Sequence, residues 1–359
     1  MQTPVLSILV ITHNQRELLK RCLSSVLGQK LNVPFEVIVS DDRSDDGTAE
    51  YISELQNQIT NGELQITNLT QLIYTRCNSN DCNPANVSER CGWNKLNAYL
   101  QAKGDYFVNI DADDFLRSND IYQVQLDILS AHPECSMCMQ DLWQINEGDP
   151  IEKGVSIFTK CGFEDHHIFT PYEVIAHYRI LNQCYMIQRH PEVDCKQLYG
   201  KYFDDSIITL HHLQFGSCVF VNRADYVWVR SNGSITKSLG DEDKFFEYNL
   251  LPLHHVRFIP SLAPVIMKAG VKPLTHFFKI LAQKHYSWQL TERTQLAFSQ
   301  TPGIIYRIFE SNKSSGYDRM RLRYMRLALL LFNRFSFTNW HYLYTIMIGK
   351  KEANEVFCR

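Results

Sequence analysis

Three unbroken apolar runs mark the first third of the chain: "VLSILVIT" at 5–12, "FEVIVS" at 35–40 and "DYFVNI" at 105–110. Each is short and rich in branched or aromatic residues, the pattern of a strand buried on both faces. Between them the period lengthens. In "QRELLKRCLSSVLGQ", Leu18, Leu19, Cys22, Leu23, Val26 and Leu27 recur at helical spacing, and Asn14 is placed to cap that helix. A second helix is predicted from about Thr48, a weaker strand near 72–75, and a third helix over roughly 92–102. Residues 76–90, "RCNSNDCNPANVSER", have the composition of a loop. Strands alternating with helices predict an α/β fold, with a mostly parallel sheet flanked by helices.

Beyond residue 135 the pattern becomes mixed. Cys184–Arg189 reads as a strand and "DDSIITLHHLQF" (204–215) as a helix. "SCVFVN" and "DYVWVR" read as a short antiparallel pair. From about 241 the chain reads as helical, broken at Pro252, Pro260, Pro264, Pro273 and Pro302–Gly303.

The 359 residues are 45% apolar and 21% charged, enough to bury a substantial core. A net charge of −3 gives no general case for nucleic acid. The eleven cysteines include one isolated C-x-x-C, Cys135 and Cys138, and read as free thiols of a reducing compartment. No secretory signal pattern is present at the N-terminus, and the longest apolar run, "LALLLF" at 327–332, is too short to span a bilayer. These features predict a cytoplasmic protein. The histidine pairs His166–His167, His211–His212 and His254–His255 lack i, i+4 spacing and read as structural or surface residues.

The most unusual chemistry is "NIDADDF", which sets Asp111, Asp113 and Asp114 directly after an apolar strand. Like charges this close repel, and carboxylates are costly to bury. An Asp-x-Asp at a strand end suits Mg²⁺ or Mn²⁺, which takes one or two carboxylates and completes its shell with water and phosphate oxygens. A solvated acidic turn capping the next helix is the alternative. A calcium loop fails, because Leu116 and Tyr122 stand where glycine and glutamate are required. Two further polar loops, "THN" and "DDRSDD", follow the first and second strands, on the sheet edge where α/β proteins bind ligands.

"SILVITHN", "FEVIVSDDRSDDGT" and "AKGDYFVNIDADD", in this order and spacing, resemble the family 2 glycosyltransferases of the bacterial cell-surface polysaccharide type. The resemblance covers about residues 5–235 and is strongest over 5–115. It implies a GT-A, Rossmann-like catalytic domain over 1–240, with a nucleotide-sugar half (1–115) and an acceptor-side half (116–240), followed by a helical region over 241–359. It also implies a metal-dependent inverting transferase using a nucleotide-diphosphate sugar, UDP-linked for preference, and a glycan or lipid-linked acceptor.

By the same resemblance Thr12 and Asn14 contact the nucleotide, Asp42 reads the base, Lys95 approaches the diphosphate and Asp111 the ribose. Asp113 matches the ligand of Mn²⁺ or Mg²⁺, with Asp114 behind it or capping a helix. Asp205, in "YFDDSIITL", matches the catalytic base, and Arg230 an arginine of a donor-side loop. The plainer readings are helix-entry capping for Asp41 and Asp42, a solvated helix lysine for Lys95, and a dipole-favoured pair for Asp204 and Asp205. The sequence departs from the family at Arg43, where glycine is usual, at Leu96, where asparagine is frequent, and at Asn232, where histidine is common. Arginine disfavours positive φ, so the loop at 43 is expected to be reshaped. The departures at Arg43 and Asn232 support a second class of reading, a non-catalytic nucleotide-sugar-binding subunit of a glycan assembly complex. A nucleotidyltransferase would open on a glycine-rich phosphate loop, which "VITHNQREL" lacks.

Residues 312–335 carry Lys313, Arg319, Arg321, Arg323, Arg326 and Arg334 against Asp318 alone, and aromatic residues follow to 344. Such a segment over 312–345 fits an anionic membrane at the inner face, or a helix packed on the protein with snorkelling arginines.

Overall fold

In the computed structural model, residues 2–77, 87–158, 163–177, 184–190, 193 and 205–231 are described, with short pieces within 259–266 and 316–324. The chain separates into two compact units, Met1–Thr170 with Ile180–Ser234, and Pro171–Arg179 with Ile235–Arg359. The sheet lies wholly in the first unit.

β1 (Leu6–Thr12) and β2 (Phe35–Asp41) are buried along their whole length. With β3 (Leu69–Arg76) and β4 (Tyr106–Asp111) they form a parallel array in the order β3-β2-β1-β4. The connections are α1 (Arg16–Leu27), α2 (Thr48–Thr60) and α3 (Val87–Gln101), so each strand feeds a helix, as the apolar periodicity predicts. α3 starts five residues before the predicted position, inside the stretch read as loop.

The one buried acid within β2 ahead of its end, Glu36, is fully paired. Glu36, fully buried on β2, accepts from Ser7 Oγ at 2.7 Å, Gln71 Nε2 at 2.6 Å and the Lys103 amide at 2.7 Å. Gly104 passes so close to β1 that a Cβ there would come within 2.7 Å of the Ser7 nitrogen, which explains the glycine of "AKGDY".

The second half of the sheet is β5 (Phe115–Leu116), β6 (Cys135–Asn146), β7 (Val155–Ser156), β8 (Ile168–Phe169), β9 (Tyr185–Gln188) and β10 (Ser217–Arg230). α4 (Ile121–Ala131) precedes β6, and α6 (Asp205–His212) precedes β10; α5 (Pro171–His177) belongs to the second unit. β9 lies between β4 and β6, antiparallel to both, and joins the two halves.

The predicted antiparallel pair at 217–230 is instead one strand, β10, running parallel to β6. Its turn-like residues Asn222–Asp225 form a bulge, with Val221 opposite Gln140 and Tyr226 opposite Leu142. The bulge is pinned rather than reversed. Arg223 spans Asp120 (2.7 and 3.2 Å) and Asp225 (2.7 Å), and the Tyr226 amide donates to Gln140 Oε1.

Among the described residues Cys22, Cys135, Cys138 and Cys218 are free cysteines, and Cys135 and Cys138 are buried on β6. His211 and His212 are buried on α6, His166 and His167 are exposed, and His254 and His255 lie outside the described residues. No helix of the described residues is long and apolar enough to cross a membrane. Most of the basic segment 312–345 lies outside them.

Candidate functional site

The parallel strands β1, β2 and β4 end on one edge, at Thr12, Asp41 and Asp111. The first loop on this edge overturns the predicted capping. Asn14 has φ +50° and does not cap α1. Its side-chain oxygen accepts from the Asp45 amide at 2.9 Å, and its own amide donates to Ser44 Oγ at 2.8 Å. The cap of α1 comes from the second loop: Asp46 Oδ2 accepts from the Arg16 amide at 2.8 Å, while Oδ1 takes the Thr48 hydroxyl at 2.7 Å and the Thr48 amide. Burial acts to raise its pKa, but the bonds from Thr48 and Arg16 outweigh it and hold the carboxyl below its ordinary value.

Asp41 and Asp42 are not helix caps either. Asp41 is sealed and bonded by the Ser44 amide and hydroxyl and by Tyr74 Oη at 2.6 Å. Asp42, nearly as buried, lies between two guanidinium groups. Arg90 Nε donates to Oδ2 at 2.7 Å and Arg43 Nε to Oδ1 at 3.2 Å. His13 completes the corner, with Nδ1 2.7 Å from the Asp42 carbonyl and Nε2 3.0 Å from Arg90 Nη2. Arg43 does adopt positive φ, +59°, contrary to the expectation from its side chain. Its bond to Asp42 is the interaction that accompanies this conformation.

Thr12 is buried; its carbonyl accepts from the Asp42 amide at 3.0 Å and Asn94 Nδ2 at 3.1 Å, and its hydroxyl has no partner. Asn94 also donates to the Ser40 carbonyl and accepts from Ser40 Oγ at 2.6 Å, so one α3 side chain ties the ends of β1 and β2 together. One residue further, Lys95 is 2% exposed, with Nζ 3.3 Å from Asp111 Oδ1. The reading of Lys95 as a solvated helix lysine is therefore excluded.

The three acids after β4 have different surroundings. Asp111 remains 29% exposed. Asp113 is half-buried, and Arg21 Nη2 donates to its carbonyl at 2.7 Å. Burial, then the charge of Asp111, pushes the Asp113 carboxyl up to about 6. Asp114 is buried and bonded to β10 by Tyr226 Oη at 2.7 Å and the Val229 amide at 2.8 Å. α4 begins only at Ile121, so Asp114 is not a helix cap.

The donor set fits a hard divalent cation. Two crowded carboxylates, one with its pKa raised by burial and by the other's charge, would gain from a cation between them. Among the described residues no three His, Cys, Asp or Glu side chains form a closed cage. Asp111 and Asp113 instead suit an ion that takes its other ligands from phosphate and water.

Arg230 ends β10 with an exposed side chain. Asp205 opens α6, but its side chain is outside the described residues, as are Asp204 and Asn232. Sequence reasoning missed Arg90, Asn94, His13 and Tyr226. Arg90 was hidden because its segment has loop composition.

The model of glycosyl transferase family 2 matches residues 7–153. Over 145 residues the chain is 28% identical to uncharacterized proteins of Mycobacterium bovis and Mycobacterium tuberculosis, covering 40% of this chain and 36% of theirs. The match thus spans about a third of those relatives' length. The structure is similar to S. aureus TarS, with a TM-score of 0.54 at 16% identity over 91% of this chain and 53% of that one. The TarS 1–349 structure in complex with UDP gives 0.54 at 15% identity, over 91% of both chains.

Proposed function

We propose, from the match of residues 7–153 to the glycosyl transferase family 2 model, that this chain transfers a sugar from a UDP-sugar to a hydroxyl of a cell-surface glycan or lipid-linked acceptor, with inversion and with a divalent cation. The observation that carries this reading is the pairing of buried Lys95 with Asp111 beside Asp113, at the carboxyl end of the parallel strands. A cation at one end of the diphosphate and a desolvated lysine at the other would bind its charges where water is scarce.

The base is read at Asp42. Arg43 Nε and Arg90 Nε donate to its two oxygens, and the remaining guanidinium N–H groups on either side of the carboxylate would offer donor, acceptor and donor in order. Uracil offers the complementary edge, O2, N3–H and O4. Guanine and cytosine present different orders. Thr12 and Asn14 would line the nucleotide on the β1 side, and Arg230 would meet the diphosphate from β10.

Mn²⁺ or Mg²⁺ would be held by Asp113, assisted by Asp111, and would supply neutralisation of charge on the departing diphosphate. The acceptor oxygen attacks the anomeric carbon from the face opposite the nucleotide. A carbon–oxygen bond forms to the acceptor, the bond to phosphate breaks, and the acceptor's proton passes to the Asp205 carboxylate. Asp205 takes this role from the resemblance of "YFDDSIITL" to the family's acid stretch, and it is the first residue of α6. The basic segment 312–345 would bring the enzyme to an anionic membrane surface where lipid-linked acceptors reside.

The test is a calorimetric titration of the full chain with UDP, GDP and CDP in Mn²⁺ or EDTA, followed by assay of UDP release from UDP-sugars. Metal-dependent binding that favours UDP, lost in Asp113→Asn and no longer base-selective in Arg90→Ala, supports the reading. Binding without release from any UDP-sugar, with or without glycan acceptors, would favour a non-catalytic subunit. Equal binding of all three nucleotides would refute the base assignment.

A further inference from the structure

Asp114 serves neither the cation nor the nucleotide directly, yet it is the most enclosed of the three acids. Its two bonds reach residues 112 and 115 positions away, both on β10. Both partners are neutral donors, a phenol O–H and a backbone N–H. That requirement explains the residue type. A carboxylate offers two acceptors, whereas asparagine in the same place would turn an NH₂ toward one of the donors. The surrounding contact is tight: β5 pairs Phe115 with Val227 and Leu116 with Tyr226, and Phe115, Ile145, Val227 and Val229 pack together against Trp143.

If the only need were to hold β5 against β10, this ladder and apolar cluster would meet it without a buried acid. What the acid adds is a link between two particular points. Asp113 precedes Asp114, and Arg230 follows Val229. The 2.8 Å bond from the Val229 amide to Asp114 Oδ1 therefore joins the chain neighbours of the metal acid and of the arginine. The second bond, from Tyr226, fixes the direction of the carboxylate by holding its other oxygen.

We propose that Asp114 is a positioning residue, which sets Arg230 at a fixed place relative to Asp113 so that the two address one diphosphate together. This rests on the donor reading given above. It makes the end of β10 part of the nucleotide site, though β10 is separated from β4 by β9 and β6 in the sheet.

The test is a double-mutant cycle on the full chain, titrated with UDP in Mn²⁺. Tyr226→Phe keeps the ring volume and removes one bond to Asp114. It should raise the Kd about tenfold, the usual effect of removing an outer-shell partner. Arg230→Ala should raise it as well, and the double variant should be no worse than Arg230→Ala alone, because both act through the same arginine. A purely structural Asp114 gives a different result: Tyr226→Phe lowers the Tm while the Kd is unchanged, or the two losses multiply independently. Either would overturn the assignment. Asp114→Asn, read in the same cycle, replaces Tyr226→Phe if that variant does not fold. A wild-type chain that binds no UDP would overturn the donor reading and this assignment with it, whereas binding that ignores Tyr226→Phe and Asp114→Asn overturns the assignment alone.

Discussion

Lys95 Nζ lies 3.3 Å from Asp111 Oδ1, with the lysine 2% exposed and the aspartate 29% exposed. The cation is thus the desolvated partner and the acid the accessible one. Removing the lysine charge takes away one compensation of Asp111, which faces Asp113. Lys95→Met, which keeps the aliphatic stem, should weaken UDP binding in Mn²⁺ by at least about tenfold, since truncating a desolvated charge pair costs on that order or more. Calorimetry reads this directly. An unchanged Kd would remove Lys95 from the donor site.

Asp113 is expected to show a trade between stability and binding. Its carboxyl is held above its ordinary pKa by burial and by Asp111, so the charged form strains the metal-free protein. Asp113→Asn should therefore raise the Tm of the metal-free chain slightly, by about 1–3 °C. The same variant should lose the Tm increase that Mn²⁺ with UDP gives the wild type. Thermal scans with and without ligand check both halves.

Asn94 has a structural role that its position on a helix conceals. Its side chain holds the carbonyls of Thr12 and Ser40 and the Ser40 hydroxyl in a buried place. Asn94→Ala would strip partners from all three, and should destabilise the protein by about 2–3 kcal/mol in urea unfolding. Asn94→Asp should do no better, because it offers acceptors to carbonyl oxygens.

His211 supplies a pH dependence away from the site. Burial first, and His212 second, depress its pKa to about 3. The unfolded chain takes up this proton near the ordinary value of about 6.5. Between these values the unfolded state binds more protons, so stability is full above about 6.5 and falls as the pH drops toward 3. His211→Gln should flatten the fall in Tm between about pH 6 and pH 4. A slope identical to that of the wild type would mean that His211 is protonated in the fold.

Reading the sequence identified the elements whose pattern is local. β1, β2 and β4 are continuous apolar runs, and the acids after β4 stand out against them. It failed where meaning depends on a distant partner. Asn222–Asp225 have turn composition, but become a bulge because Asp120 and Gln140 supply partners that no local pattern reveals. Asn14 takes positive φ where its loop bonds to the loop about thirty residues further on. Arg90 and Asn94 sit on a helix whose polar residues face the sheet ends, and a periodicity argument assigns such residues to solvent.

The place of β9 has a consequence for how the protein is made. A four-residue strand, synthesised after both of its neighbours, is the piece that unites the two halves of the sheet. Until it emerges from the ribosome, β4 and β6 each present an open edge, a ready template for pairing with another nascent chain. Fragments that end before Tyr185 are expected to aggregate however well their first four strands pair, and those that extend past Gln188 gain the strand that covers the facing edges of β4 and β6, the far edge of β6 being covered later by β10.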